Sequence, residues 1–167
     1  MKLYHGSNTD IEIINLEMCR PYKDFGKGFY LTDLKEQAVK MANRVARIYG
    51  GQPILNVYEI EDDFRSIENL RIKDFGIKTT EEWAEFIMNN RNRTFCDHKS
   101  LLSNQDNKYD IVIGPVADDN MSLLFRQYEN EIIDFATMLK GMIYKETSSQ
   151  YSFHTEKSIK LLRKVGT

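Results

Sequence analysis

The chain has 167 residues, 41% hydrophobic and 29% charged, with a formal net charge of -2. That is the balance of one globular domain able to bury a substantial core, and it gives no global electrostatic reason to bind nucleic acid. Cys19 and Cys96 are too few for a disulfide framework, no apolar run approaches the roughly 20 residues of a membrane span, and Met1-Lys2-Leu3-Tyr4-His5 lacks a signal-peptide pattern. A reducing, cytoplasmic setting without membrane association is expected, with export by a route that needs no cleavable signal left open.

Leu3-Tyr4 opens a short strand that His5-Gly6-Ser7-Asn8 should end, and polar loops with Pro21 lead to Asp24-Phe25-Gly26-Lys27-Gly28-Phe29-Tyr30-Leu31-Thr32. There a glycine loop turns directly into a strand. Asp33 with Glu36 has capping-box spacing, and Leu34, Ala38, Met41, Ala42, Val45 and Ile48 give one apolar face to a helix running to Tyr49, stopped by Gly50-Gly51. Lys40, Arg44 and Arg47 form a basic stripe on its other side.

Ile54 to Ile60 alternates as a half-buried strand, and a shorter strand is expected around Leu70 to Ile72. Thr79 with Glu82 repeats the capping spacing before a helix that buries Trp83, Phe86 and Ile87 and ends near Asn90. The polar stretch from Asn92 to Lys108 connects to a central strand, Tyr109 to Val116, closed by Gly-Pro. From Asp118 or Asp119 to about Ile143, helical spacing predicts one long helix or two with a break near Asn130. Gln150 to His154 then reads as a strand, Thr155 as an N-cap, and Ile159, Leu161 and Leu162 as the buried side of a closing helix or turn.

Several connections are too short for parallel crossovers, so the expected fold is α+β over a single domain, residues 1–167. Gly-x-Gly before a strand is the reverse of the dinucleotide-binding order, in which the strand comes first. His5, Cys19, Cys96, His98 and His154 show no paired metal-ligand spacing beyond Cys96-x-His98, and no Gly-x-Ser-x-Gly occurs, so neither a zinc site nor a serine hydrolase is expected.

The Phe-Gly-Lys-Gly-Phe-Tyr segment resembles that of the poly(ADP-ribose) polymerase and diphtheria-toxin-like branch of the ADP-ribosyltransferase clan. With Leu-Tyr-His-Gly-Ser at the start, the chain is most similar to a bacterial uncharacterised-domain family placed in that clan. The resemblance implies a mostly antiparallel split sheet with flanking helices. It also implies a mono-ADP-ribosyltransferase, a glycosyltransferase that uses NAD as co-substrate and needs no metal. Such an enzyme breaks the bond between nicotinamide and ribose through a transition state with positive charge building on the sugar.

By the same resemblance the catalytic positions are His5, Tyr30 and Gln150. His5 would bond an adenosine ribose hydroxyl, Gly6 and Ser7 would take the nicotinamide amide, and Tyr30 would stack on nicotinamide. Arg20, Lys23 or Lys27 in the covering loop could meet the pyrophosphate, and Gly28, Phe29 and Thr32 complete the expected binding segment. Gln150 stands where relatives usually carry Glu. An amide can hold a ribose hydroxyl but supplies no charge and no base, so chain elongation is not expected. Glu156 is the rival carboxylate, yet six strand residues place it about 20 Å from Gln150, and it suits the first turn of a helix.

Ala38 and Met41 replace the residues that close over nicotinamide in some relatives. Ser148, two before Gln150, replaces the first carboxylate of arginine-modifying ones. An NAD glycohydrolase toxin and a non-catalytic NAD or ADP-ribose binding module are the alternatives. A protein or nucleic-acid acceptor, and an antitoxin or immunity partner for an effector, are the partners left open.

Overall fold

In a computed structural model, described over residues 1–97, 99–117, 119–142 and 148–167, seven strands form one sheet. They are β1 (Lys2–Ser7), β2 (Phe29–Thr32), β3 (Ile54–Glu59), β4 (Ile72–Asp74), β5 (Ile111–Pro115), β6 (Ser149–Phe153) and β7 (Arg163–Gly166), in the order β4-β5-β6-β2-β1-β3-β7. Among the described strands only β4 and β5 run parallel, the helix between them making the crossover. Among the described residues five α-helices flank the sheet: α1 (Lys35–Tyr49), α2 (Glu81–Arg91), α3 (Asp119–Glu129), α4 (Phe135–Met142) and the single-turn α5 (Glu156–Ile159). The α+β expectation therefore holds, as a seven-stranded, mostly antiparallel sheet.

Strand alternation sorts the core into two faces. Leu3, Phe29, Leu31, Tyr58, Tyr151 and Phe153 share one face, covered by Ile11, Ile14, Leu16, Phe64 and Ile159. On the other face Val112 packs under Trp83, Phe86, Phe125 and Met138 from α2, α3 and α4. On that second face α1 packs mainly on β1, with lesser contact to β3 and β2. Between α1 and the helices over β5, the same face of β2 and β6 carries Tyr30, Thr32, Ser152 and Gln150, the last three buried.

Several boundaries move for identifiable reasons. The first strand runs through His5, Gly6 and Ser7 rather than ending at them, because all three pair with β3. Leu34, not Asp33, is the cap of α1 and offers no side-chain cap bond; the Thr32 hydroxyl accepts from the Leu34 amide instead. The cap of α2 is Thr80, one residue after the expected Thr79, whose buried hydroxyl donates to the Met142 carbonyl. β4 starts at Ile72, where the expected strand ends. The break near Asn130 is present and separates α3 from α4. Thr155 caps α5 as expected, while the closing strand β7 was not anticipated. His98, Asp118 and the expected helix end at Ile143 lie outside the described residues.

Candidate functional site

The glycine loop is held to the body of the protein by side chains from far along the chain. Tyr30 folds its hydroxyl back onto the loop, donating to the Gly26 carbonyl at 2.7 Å and accepting from the Phe25 amide at 3.0 Å. Gly26 needs its φ of 95° to complete that turn. Burial, with the nearby Asp24 carboxylate, holds the Tyr30 phenol well above the usual tyrosine range, so it stays protonated. The hydroxyl is saturated, and what Tyr30 offers a ligand is its ring. Tyr30→Phe should therefore cost about 1–2 kcal/mol by leaving the Phe25 amide unpaired, while keeping a stacking surface that Tyr30→Ala would lose. Urea unfolding together with nicotinamide binding separates the two effects.

Gly28 lies against His154. A Cβ at position 28 would stand 2.6 Å from the ring Nδ1. That nitrogen donates to the Lys27 carbonyl at 2.9 Å, and the Ser152 hydroxyl lies 2.8 Å from the other ring nitrogen.

The seam between β1 and β2 is the weakest in the sheet, with one paired position, Tyr4 opposite Thr32. Beyond it the strands part, and His5 fills the wedge. Its Nδ1 donates to the Tyr30 carbonyl at 2.7 Å, and its ring lies 4.6 Å from that of Phe29. The ring belongs to the Leu3 face, opposite the Tyr30 side chain, so the two meet through the backbone carbonyl. Burial, opposed by this bond, lowers the His5 pKa and keeps the ring neutral near pH 7. With Nδ1 donating, Nε2 is left as an acceptor.

Gln150 lies on β6 opposite Thr32 on one side and Gly114 on the other, on the Tyr30 face. Its Nε2 donates to Asp24 Oδ2 at 3.1 Å and to the Pro115 carbonyl at 3.3 Å, which also receives Trp83 Nε1 at 3.1 Å. Asp24 Oδ1 accepts twice from Arg91, at 2.7 and 3.0 Å. Thr32 donates towards Gln37 of α1 at 2.8 Å and the Ser149 carbonyl at 3.1 Å. Beside Thr32 a depression of about 560 Å³ is lined by Asp33, Glu36, Gln37, Lys40 and Ser148.

Other expected residues have structural employment. Gly6 presents its bare Cα to α1, not to open space: an added Cβ would stand 2.0 Å from the Ala38 carbonyl oxygen. Ser7 Oγ accepts from the Thr9 amide and keeps its own proton to donate. Phe29 is core. Arg20 lies over the Tyr49 ring and Lys27 pairs with Glu17 at 3.1 Å, while Lys23 is exposed. Both contacts are at the surface and cost little to exchange for a phosphate. Glu156 sits in the first turn of α5, beyond the opposite end of β6 from Gln150. Ala38 is buried under β1, whereas Met41, expected on the apolar face, is 48% exposed.

Sequence reasoning gave no role to Asp24 or Arg91. Asp24 heads the glycine stretch, a detectable signal; Arg91 at the end of α2 carries none. Among the described residues no cluster of three or more His, Cys, Asp or Glu could hold a metal, and no helix is long and apolar enough to cross a membrane.

The fold and the site define an α+β protein with the Gln150 amide and the half-buried Tyr30 ring on one face of the sheet and the neutral His5 ring on the other, bonded to the Tyr30 carbonyl. The chain belongs to the family described as "Protein of unknown function (DUF3990)", which it matches over residues 1–163. Comparison with curated proteins and with solved structures gives no match.

Proposed function

We propose that this protein is an NAD-dependent mono-ADP-ribosyltransferase with an ADP-ribosyltransferase-like fold, acting through His5, Tyr30 and Gln150. The observation that carries the reading is convergence. Positions 5, 30 and 150, picked out by resemblance from distant parts of the chain, fall on the three adjacent strands β1, β2 and β6, Tyr30 and Gln150 on one face and His5 reaching the Tyr30 carbonyl from the other, at a seam with one paired position.

The chemistry fits a ribosyl ligand. Nε2 of neutral His5 and Oε1 of Gln150 accept from ribose hydroxyls, and the Tyr30 ring gives nicotinamide a flat partner. Gly6 and Ser7 line the opened edge of β1, where the Ser7 hydroxyl can donate to a carboxamide oxygen. Gln150 itself cannot act as a general base, so with this residue alone the acceptor brings its own activation or water serves. The second case is an NAD glycohydrolase.

The test is release of nicotinamide from NAD by the purified protein, with and without cell lysate. Tyr30→Ala and Gln150→Ala should each lower it at least about a hundredfold. Dependence on lysate identifies a transferase, and release without lysate a glycohydrolase. No release by the wild type under either condition, with NAD still raising the melting temperature, would leave a binding module.

A further inference from the structure

Position 150 has a built environment that explains why an amide stands there. The two groups its Nε2 meets, Asp24 Oδ2 at 3.1 Å and the Pro115 carbonyl at 3.3 Å, can only accept. The amide therefore has one allowed orientation, NH₂ towards Asp24 and Oε1 away from it, and Oε1 has no hydrogen-bond partner among the described residues. Asp24 is itself fixed, its other oxygen taken by two Arg91 nitrogens, with the side chains only 15% and 24% exposed. A carboxylate at position 150 would set an oxygen against Asp24 and a carbonyl with no proton between them.

We propose that Asp24 is the positioning residue of this site. It locks the Gln150 amide so that Oε1 is presented as a hydrogen-bond acceptor for a ligand hydroxyl, and it makes Gln the required residue at that position. Gln150 is thus not a disabled glutamate. The site is built around an acceptor of fixed direction, with the Asp24 carboxylate placed behind the amide in the glycine loop. The identity of the ligand, a ribose of NAD, rests on the function proposed above; the lock does not.

The experiment is a double-mutant cycle on Asp24→Asn and Gln150→Glu, read first by thermal unfolding without ligand. Gln150→Glu should lower the melting temperature by about 5 °C or more at pH 8, and by less at pH 5, where the new carboxyl can take up a proton. In the double variant the new amide at position 24 can accept from Arg91 through its oxygen and donate through its nitrogen to the new carboxylate at position 150, reversing the polarity of the contact. At least half of the loss should return. A Gln150→Glu chain that folds only together with Asp24→Asn is the same rescue; losses that simply add, or failure of both chains to fold, overturn the lock.

The second readout is NAD affinity by calorimetry. Asp24→Asn should weaken it about tenfold, because an amide at position 24, its oxygen held by Arg91, turns its nitrogen towards position 150 and no longer accepts from Nε2 there, while Glu68→Gln, an exposed change given no part in the site, leaves it unchanged. Equal affinity in wild type and Asp24→Asn would overturn the role in presenting Oε1. No NAD binding by the wild type would sink the NAD reading alone, and the unfolding cycle would still decide the lock.

Discussion

Replacing Gly6 by alanine is expected to lower the unfolding free energy by about 3 kcal/mol or more. At this chain length that is about 10 °C in melting temperature. An added Cβ would stand 2.0 Å from the Ala38 carbonyl oxygen and 2.5 Å from the Ala42 amide nitrogen. Both are helix backbone, which cannot swing aside as a flexible side chain would. Helix α1 must instead lift from β1, and it carries Gln37, the partner of Thr32. Because the clash is with main chain, trimming Ala38 to glycine should give no rescue. Gly50 is the control: an added Cβ there meets nothing within 4 Å, so alanine carries only the strain of its φ of 81°, about 1 kcal/mol. A Gly6→Ala protein within 1 kcal/mol of wild type in urea unfolding would show that α1 does not pack this closely.

What was legible in the sequence followed from short-range rules. The apolar run around Ile111, the helical face of Trp83, Phe86 and Ile87, the Thr155 cap and the break near Asn130 all depend on neighbours within a turn or two. Each stands where the pattern placed it. The misses came from groups far apart in the chain. Asp33 reads as a cap, yet Thr32, fixed on β2 beside β6, reaches the Leu34 amide first. β7 has only four residues, two of them charged, and is specified mainly by the free edge of β3.

The site shows the same division. Gly26 and Tyr30 announce a tight turn with an aromatic at its end, but nothing local reveals that the Tyr30 hydroxyl is used up in closing that turn. Gly6 reads as room for a ligand, and the partner it makes room for is a helix more than thirty residues later. Gln150 reads as the loss of a carboxylate because its neighbours Asp24 and Pro115 are 126 and 35 positions away. Polar groups whose partners come from distant segments are satisfied only in the folded chain, so their roles escape any local window.

Acid should begin to destabilise this protein at about pH 6.5, where an unfolded histidine starts to take up a proton. His154 is 3% exposed, and burial, opposed by its bond to the Lys27 carbonyl and by the Asp110 charge, pushes its pKa from 6.5 down to about 4. The unfolded chain takes up a proton at this position below pH 6.5, whereas the folded chain does so only near pH 4. Between those values the unfolded state binds more protons, and stability falls by about 1.4 kcal/mol per pH unit as the pH drops, about 3 kcal/mol across the window. His5, lowered by burial in the same direction, adds to the loss. Asp110, whose pKa is lowered, contributes stability that is lost only below the His154 window. Urea midpoints at pH 7.5 and 4.5 measure the slope. His154→Asn tests its source, since an asparagine Nδ2 can still donate to the Lys27 carbonyl while carrying no titrating group. That variant should be less stable than wild type at pH 7.5, having lost the ring packed edge-on to Tyr30, and its stability should change much less with acid. A wild type equally stable at both pH values, or a variant with the full wild-type slope, would mean that His154 is not the buried neutral group that ties β6 to the glycine loop.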